Sequence, residues 1–161
     1  MSTQVRILFV CMGNICRSPT AEGVFEHYVA EAGLAERIAS DSAGILDYHV
    51  GEPPDARAQL AARLRGYDLS TLRGRQVSHR DFADFDYLLA MDETNLHALV
   101  RLCPPQHAHK LKLFMEFSAI AGSREVPDPY YGGPKVFEQV LDMVEQAAQG
   151  LLSHLRARID L

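Results

Sequence analysis

A chain of 161 residues with 47% apolar side chains, a formal charge of −5 and three cysteines has the size and composition of one globular domain with a full core. No basic stripe suits it to nucleic acid, no apolar run is long enough to cross a bilayer, and no charged start leads into an apolar secretion segment. An odd cysteine count, with no disulfide framework, fits a reducing cytoplasm.

Residues 5–10 form a continuous apolar run, as expected of a strand covered on both faces. The next eight residues, Cys11-Met12-Gly13-Asn14-Ile15-Cys16-Arg17-Ser18, precede a helix predicted from Pro19 to about residue 32 and stopped at Gly33. Residues 37–42 suggest a second strand, and the Gly- and Pro-bearing stretch 44–54 a loop. Residues 55–65 read as a helix ended by Gly66, 87–91 as a third strand, and 92–102 as a helix. Residues 110–114 give a fourth strand. Val136, Phe137, Val140, Leu141, Val144, Ala147, Ala148, Leu151, Leu152 and Leu155 then recur at helical spacing, so the final segment is a long helix with one broad apolar face. Strands alternating with helices predict an α/β fold. The expectation is a single domain over residues 1–161, doubly wound, with a central four-stranded parallel sheet flanked by helices on both faces. Ligands of such sheets bind beyond the carboxyl ends of the strands, where Cys11 falls.

The segment from Cys11 to Ser18 carries the chemistry. Gly13 and Asn14 tolerate the left-handed backbone needed to turn successive N–H groups inward. Converging amides and the positive end of the following helix make a nest for an anion. Arg17 offers two parallel donors to two phosphoryl oxygens, and Cys11 at the floor of the ring is favoured as a thiolate. Together they point to a cysteine-dependent phosphatase. Glu22, near the end of the first helical turn, reads as a weak echo of a capping signal.

A thiolate that displaces a phenolate from phosphorus needs an acid for the leaving oxygen. Asp128, held between Pro127 and Pro129 and followed by Tyr130 and Tyr131, is the candidate. The same carboxylate would then deprotonate the water that hydrolyses the cysteinyl-phosphate. The adjacent phenols would flank a planar aryl group. A Cys11–His27 hydrolase pair is disfavoured because His27 falls well down the helix. His107 and His109, alternating in a Pro-rich loop, read as solvent-facing, so no metal and no cofactor is expected.

Cys11 to Glu22 and Asp128 to Gly132, with Ser42-Ala43-Gly44, Asp55-Ala56-Arg57-Ala58, Arg75-Gln76-Val77 and Met91-Asp92-Glu93-Thr94-Asn95-Leu96 between them, resemble the low-molecular-weight protein tyrosine phosphatase family over nearly the whole chain. The resemblance implies that Cys11 is the nucleophile, Arg17 the phosphate clamp, and Asp128 the acid and base. Met12, Gly13, Asn14, Ile15, Cys16 and Ser18 would build the phosphate loop. Asn14 would hold it through Ser42, and Ser18 would hydrogen-bond the thiolate. Tyr48, Tyr130 and Tyr131 would line the cleft, and Cys16 would form a reversible disulfide with Cys11. Leu72 stands where many members carry a histidine of the supporting network, and Tyr48 where several carry tryptophan. Tyrosine-phosphorylated proteins are the implied partners and the cytoplasm the implied compartment, with the chain a monomer or weak dimer. Ile15 and the paired tyrosines favour an aryl phosphate over phosphoarginine. Two other functions stay open: arsenate reduction, for which Cys103 would have to serve a thiol relay, and phosphoprotein binding without catalysis.

Overall fold

In the computed structural model, which describes residues 4–120, 122 and 124–158, the apolar run near the start is strand β1 (Val5–Cys11). Residues 7–10 of it are wholly buried, because the strand lies inside the sheet with neighbours on both edges. It pairs in parallel with β2 (Ile38–Gly44) on one side and β3 (Tyr87–Ala90) on the other. Strand β4 (Leu111–Leu113) completes a four-stranded parallel sheet of order β2-β1-β3-β4. The chain leaves β1 toward one edge and later returns to its opposite side. The crevice beyond the carboxyl ends of β1 and β3 is therefore the switch point where α/β sheets take ligands.

Alternation along β1 divides the core. Ile7, Phe9 and Cys11 face a layer made by helices α1 (Arg17–Glu31), α2 (Ala56–Leu64) and α5 (Pro134–Arg158). Leu8 and Val10 face a smaller layer with Phe82 of α3 (Asp81–Asp84) and Leu99 of α4 (Glu93–Leu102). Phe9 meets the edges of Phe25 and Phe114, with ring centroids 5.7 and 5.1 Å away. Helix α5 buries its predicted stripe, including Phe137, Val140, Leu141, Val144, Leu151 and Leu155. Each such side chain contributes about 1.5–3 kcal/mol. The helix also presses on the 3-10 turn Phe114–Phe117. A Cβ on Gly150 would lie 1.6 Å from the Phe117 carbonyl oxygen, so only glycine permits that approach.

The doubly wound parallel sheet is as the sequence predicts, and the boundaries differ in local ways. Helix α1 begins at Arg17, two residues before Pro19, and has no side-chain cap. Glu22 is not a capping residue; its carboxylate accepts from Ser42 instead. Asp55 and Asp92 cap α2 and α4, their carboxylates accepting from the amides of Arg57 and Asn95. Helix α3 and the turns Pro105–Lys110 and Phe114–Phe117 were not legible, being too short to show a period.

Candidate active site

Between β1 and α1 the chain folds into a loop whose carbonyls are taken from outside. Cys11 O accepts from Ile45 N, Met12 O from Leu46 N, Ile15 O from Asp55 N, and Cys16 O from both Thr20 N and Thr20 Oγ1. In a planar trans peptide the N–H points opposite to its C=O. Outward carbonyls therefore turn the amides of Met12, Gly13, Cys16 and Arg17 toward the centre of the loop, beside the N-terminus of α1. Two features make the turn possible. Asn14 has φ 58°, the only left-handed non-glycine among the described residues. A Cβ on Gly44 would come within 3.1 Å of Asn14 N, tighter than ordinary contact, so glycine at the end of β2 lets the loop lie close against it.

The left-handed Asn14 is costly for a residue with a side chain, and that side chain is fully used to hold it. Nδ2 donates to Ser18 Oγ at 2.8 Å and to Ser42 Oγ at 3.0 Å, and Oδ1 accepts from Arg75 N at 2.9 Å. Ser42 in turn donates to Glu22 Oε1 at 2.6 Å. Leu72 packs against the larger core and brings no side-chain hydrogen bond, so the network runs instead through Ser42 to Glu22 and on to Glu26. Glu22 was not found from the sequence, since nothing in a helical glutamate two positions after Thr20 signals a bond to β2. Burial pushes its carboxyl up to about 8; the Ser42 hydroxyl pulls the other way, and Glu26 and Asp41 add to the rise. A carboxyl raised in the folded state stabilises below its unfolded pKa, and that stability is lost as pH rises toward 8. The slope for one proton does not exceed about 1.4 kcal/mol per pH unit. We expect Glu22→Gln to remove this loss, so that its melting temperature gains on the wild type between pH 5 and pH 9. A constant difference across that range would contradict the assignment.

Cys11 lies at the floor of the loop, 3% exposed. Its Sγ is 3.0 Å from Ser18 Oγ and receives the Asn14 amide at 3.3 Å. Arg17 stands beside it, nearly buried, and remains charged: burial opposes the charge, but Cys11, Asp92 and Asp128 together raise its pKa. Its Nη1 is saturated, bonded to Asp92 Oδ2 at 2.6 Å and Val126 O at 3.0 Å. That leaves the Nε and Nη2 edge for two oxygens of a bound anion. Asp92 therefore does two things, capping α4 with one oxygen and aiming Arg17 with the other. Cys16 sits in the same loop, but burial, reinforced by Asp55 and Cys11, pushes its thiol up to about 12. Of the two loop cysteines, Cys16 is thus held as the thiol.

Above the loop a cleft of ≈ 370 Å³ opens. Leu46, Tyr48 and His49 form one wall, and Asp128, Tyr130 and Tyr131 the other. Asp128 is half exposed, with Oδ2 3.8 Å from Arg17 Nη2. The tyrosine rings meet edge to face at 5.0 Å. The structure brings Cys11, Met12, Gly13, Ile15, Cys16, Arg17, Tyr48, Asp128, Tyr130 and Tyr131 to this one cleft. Asn14, Ser18 and Ser42 lie directly beneath it. His27 is elsewhere, paired with Glu31 at 3.0 Å. His49, whose ring lies over Gly13, and Leu46 were missed because they fall in a loop with no motif of its own. Chemically the cleft brings together a sulfur at its floor, inward-turned amides beside a buried guanidinium that can hold an anion, and a half-exposed carboxyl. Among the described residues no helix is long and apolar enough to cross a membrane.

Comparison with known proteins agrees. The family model described as low molecular weight phosphotyrosine protein phosphatase matches residues 6–160. A low molecular weight protein-tyrosine-phosphatase of Streptomyces coelicolor is 43% identical, over 96% of this chain and 96% of the relative. A crystal structure of a protein tyrosine phosphatase from Entamoeba histolytica superposes with a TM-score of 0.93 at 40% identity, covering 96% of this chain and 98% of that one. The crystal structure of a Drosophila arginine phosphatase superposes at 0.87 with 32% identity, over 94% and 98% of the two chains. With the match running almost end to end, the chain belongs to the low molecular weight phosphotyrosine protein phosphatase family.

Proposed function

We propose that this chain hydrolyses phosphotyrosine on proteins through a cysteinyl-phosphate intermediate and without a metal. The observation that carries this reading is the seating of Cys11 Sγ between Ser18 Oγ and the Asn14 amide, with Arg17 and Asp128 in the same cleft. In the first step Sγ attacks phosphorus and the P–O bond to the tyrosine breaks. The Asp128 carboxyl gives its proton to the departing phenoxide. In the second, Asp128 as carboxylate takes a proton from water, water oxygen attacks phosphorus, and the S–P bond breaks to restore the thiolate. Amides of the loop formed by Met12, Gly13, Asn14, Ile15, Cys16 and Ser18, with Arg17, hold the phosphoryl oxygens throughout. Tyr48, Tyr130 and Tyr131 flank the substrate ring, and Ser42 supports the loop through Asn14. Cys16 protects the nucleophile by forming a disulfide if Cys11 is oxidised. Residues 1–161 act as one domain, in the cytoplasm, as a monomer or weak dimer.

The likeness to an arginine phosphatase makes the leaving group the point to test. Ile15 at the cleft floor and the phenols of Tyr130 and Tyr131 give walls suited to an aromatic ring. Cys103 packs with the core on the other face of the sheet from Cys11, which gives an arsenate-reducing relay no support. We expect a panel of phosphopeptides to be turned over only when it carries phosphotyrosine, with phosphoserine, phosphoarginine and thiol-dependent arsenate reduction at background. Faster release from phosphoarginine would contradict the substrate assignment while leaving the nucleophile intact.

A further inference from the structure

Asp55 and Arg57 at the start of α2 form a two-pronged pair, Arg57 Nε to Asp55 Oδ1 at 3.0 Å and Nη2 to Oδ2 at 2.9 Å. Arg57 does not line the cleft, yet the pair touches both loops that build it. The Asp55 amide donates to Ile15 O of the phosphate loop at 2.8 Å. Arg57 Nη2 donates to Tyr130 O of the Asp128 loop at 2.9 Å. The guanidinium also lies 5.6 Å from the centre of the Tyr130 ring and 4.9 Å from that of Phe137, at the base of α5. We propose that Arg57 is a positioning residue, a clamp that sets the height and direction of Asp128 over Cys11.

The loop that carries Asp128 has few other fixings. On its upstream side Val126 is held by both peptide groups, its N to Met91 O and its O by Arg17. Downstream, the Gly132-to-Pro129 turn is internal to the loop, so the tie from Arg57 to Tyr130 O joins this side to the body of the protein. Tyr130 is the transmitting residue. Its amide donates to Asp128 Oδ1 at 3.1 Å, and its carbonyl is the group Arg57 grips. Asp128 itself, 54% exposed in its side chain, is only half enclosed by its surroundings. The Asp55–Arg57 pair is open on the Arg57 side, 48% exposed against 12% for Asp55, and contributes little to folding. A displacement of about 1 Å in a catalytic group, however, costs up to roughly a hundredfold in rate. The balance of those two effects assigns the clamp to catalysis.

The clamp rests on Asp128 being the acid, and the test separates the two. kcat/KM, which reports the first step and not hydrolysis of the cysteinyl-phosphate, is compared for phenyl phosphate, whose leaving group needs a proton, and for 2,4-dinitrophenyl phosphate, whose leaving group does not. The proteins are wild type, Asp128→Ala, Arg57→Met, Arg57→Gln and the double variant Asp128→Ala/Arg57→Met. Methionine keeps an apolar stem against Phe137, and glutamine keeps one donor. We expect Arg57→Met to lose about tenfold on phenyl phosphate and less than about twofold on the dinitrophenyl ester, with inhibition by inorganic phosphate unchanged. Arg57→Gln should lie between it and the wild type, and Arg57→Met should cost nothing further once Asp128 is alanine. Equal losses on the two esters, additive losses in the double variant, or wild-type rates would overturn the clamp. If Asp128→Ala itself showed no dependence on the leaving group, the acid assignment would fall and take the clamp with it.

Discussion

Cys11→Ser is expected to remove turnover of aryl phosphates by about a millionfold, the scale on which the loss of a covalent nucleophile is felt in other hydrolases. The replacement changes one atom. Serine oxygen can still meet Ser18 Oγ and the Asn14 amide, the two partners of Sγ. It is a weak nucleophile unless a base removes its proton, and no such base touches it here. The anion cradle is built from main-chain amides and Arg17, none of which the substitution alters. Arg17 stays aimed by Asp92 and Val126. Inorganic phosphate should therefore bind to Cys11→Ser within a few-fold of its wild-type affinity, measured by calorimetry, while hydrolysis of p-nitrophenyl phosphate is absent. Loss of both properties together would mean that Cys11 holds the loop in shape and that its reactivity had not been isolated.

Asp128→Ala is the second large effect, and it depends on the substrate. A positioned acid contributes about 10²–10⁴-fold when the leaving oxygen must be protonated. Phosphotyrosine leaves as a phenol of pKa about 10, so the variant should lose a hundredfold or more on it. In kcat/KM, which does not include the later hydrolysis of the cysteinyl-phosphate, an activated dinitrophenyl ester should lose far less. The geometry makes the carboxylate separable from the fold: its side chain is half exposed, and its contacts are the Tyr130 amide and a long approach to Arg17. The melting temperature should accordingly stay close to the wild type. Equal slowing on both esters would point to a binding or electrostatic role for Asp128.

The sheet was legible because β1 has neighbours on both edges and buries both faces, which writes an unbroken apolar run into the sequence. Helix α5 was legible because it packs along its length against α1, α2 and the 114–117 turn and needs a full stripe to do so. The gathering of Cys11, Arg17 and Asp128 at one cleft was legible because the chemistry proposed for them requires particular residue types at sharp turns. What escaped was of a different kind. Asp92 reads as an ordinary helix cap, and the cap is real; that its second oxygen aims Arg17 depends on packing between segments 75 residues apart. Glu22 reads as helix polarity, and its bond to Ser42 exists only because α1 lies against β2. Arg57 reads as one residue of a matched motif, and its bond to Tyr130 O joins segments 73 residues apart. Local pattern reveals the residues that line the cleft floor, while the groups that hold them in place are found only once the chain has folded.

Interrupted turnover offers the decisive observation. Asp128→Ala slows the acid and base steps, so mixing it briefly with an activated aryl phosphate and quenching in acid should leave phosphate bonded to sulfur in the peptide that contains Cys11. Mass spectrometry of that digest should find the phosphopeptide in wild-type loop sequence and lose it on Cys11→Ser. Phosphate found on another residue, or full turnover with no covalent species at any time, would contradict attack by this sulfur.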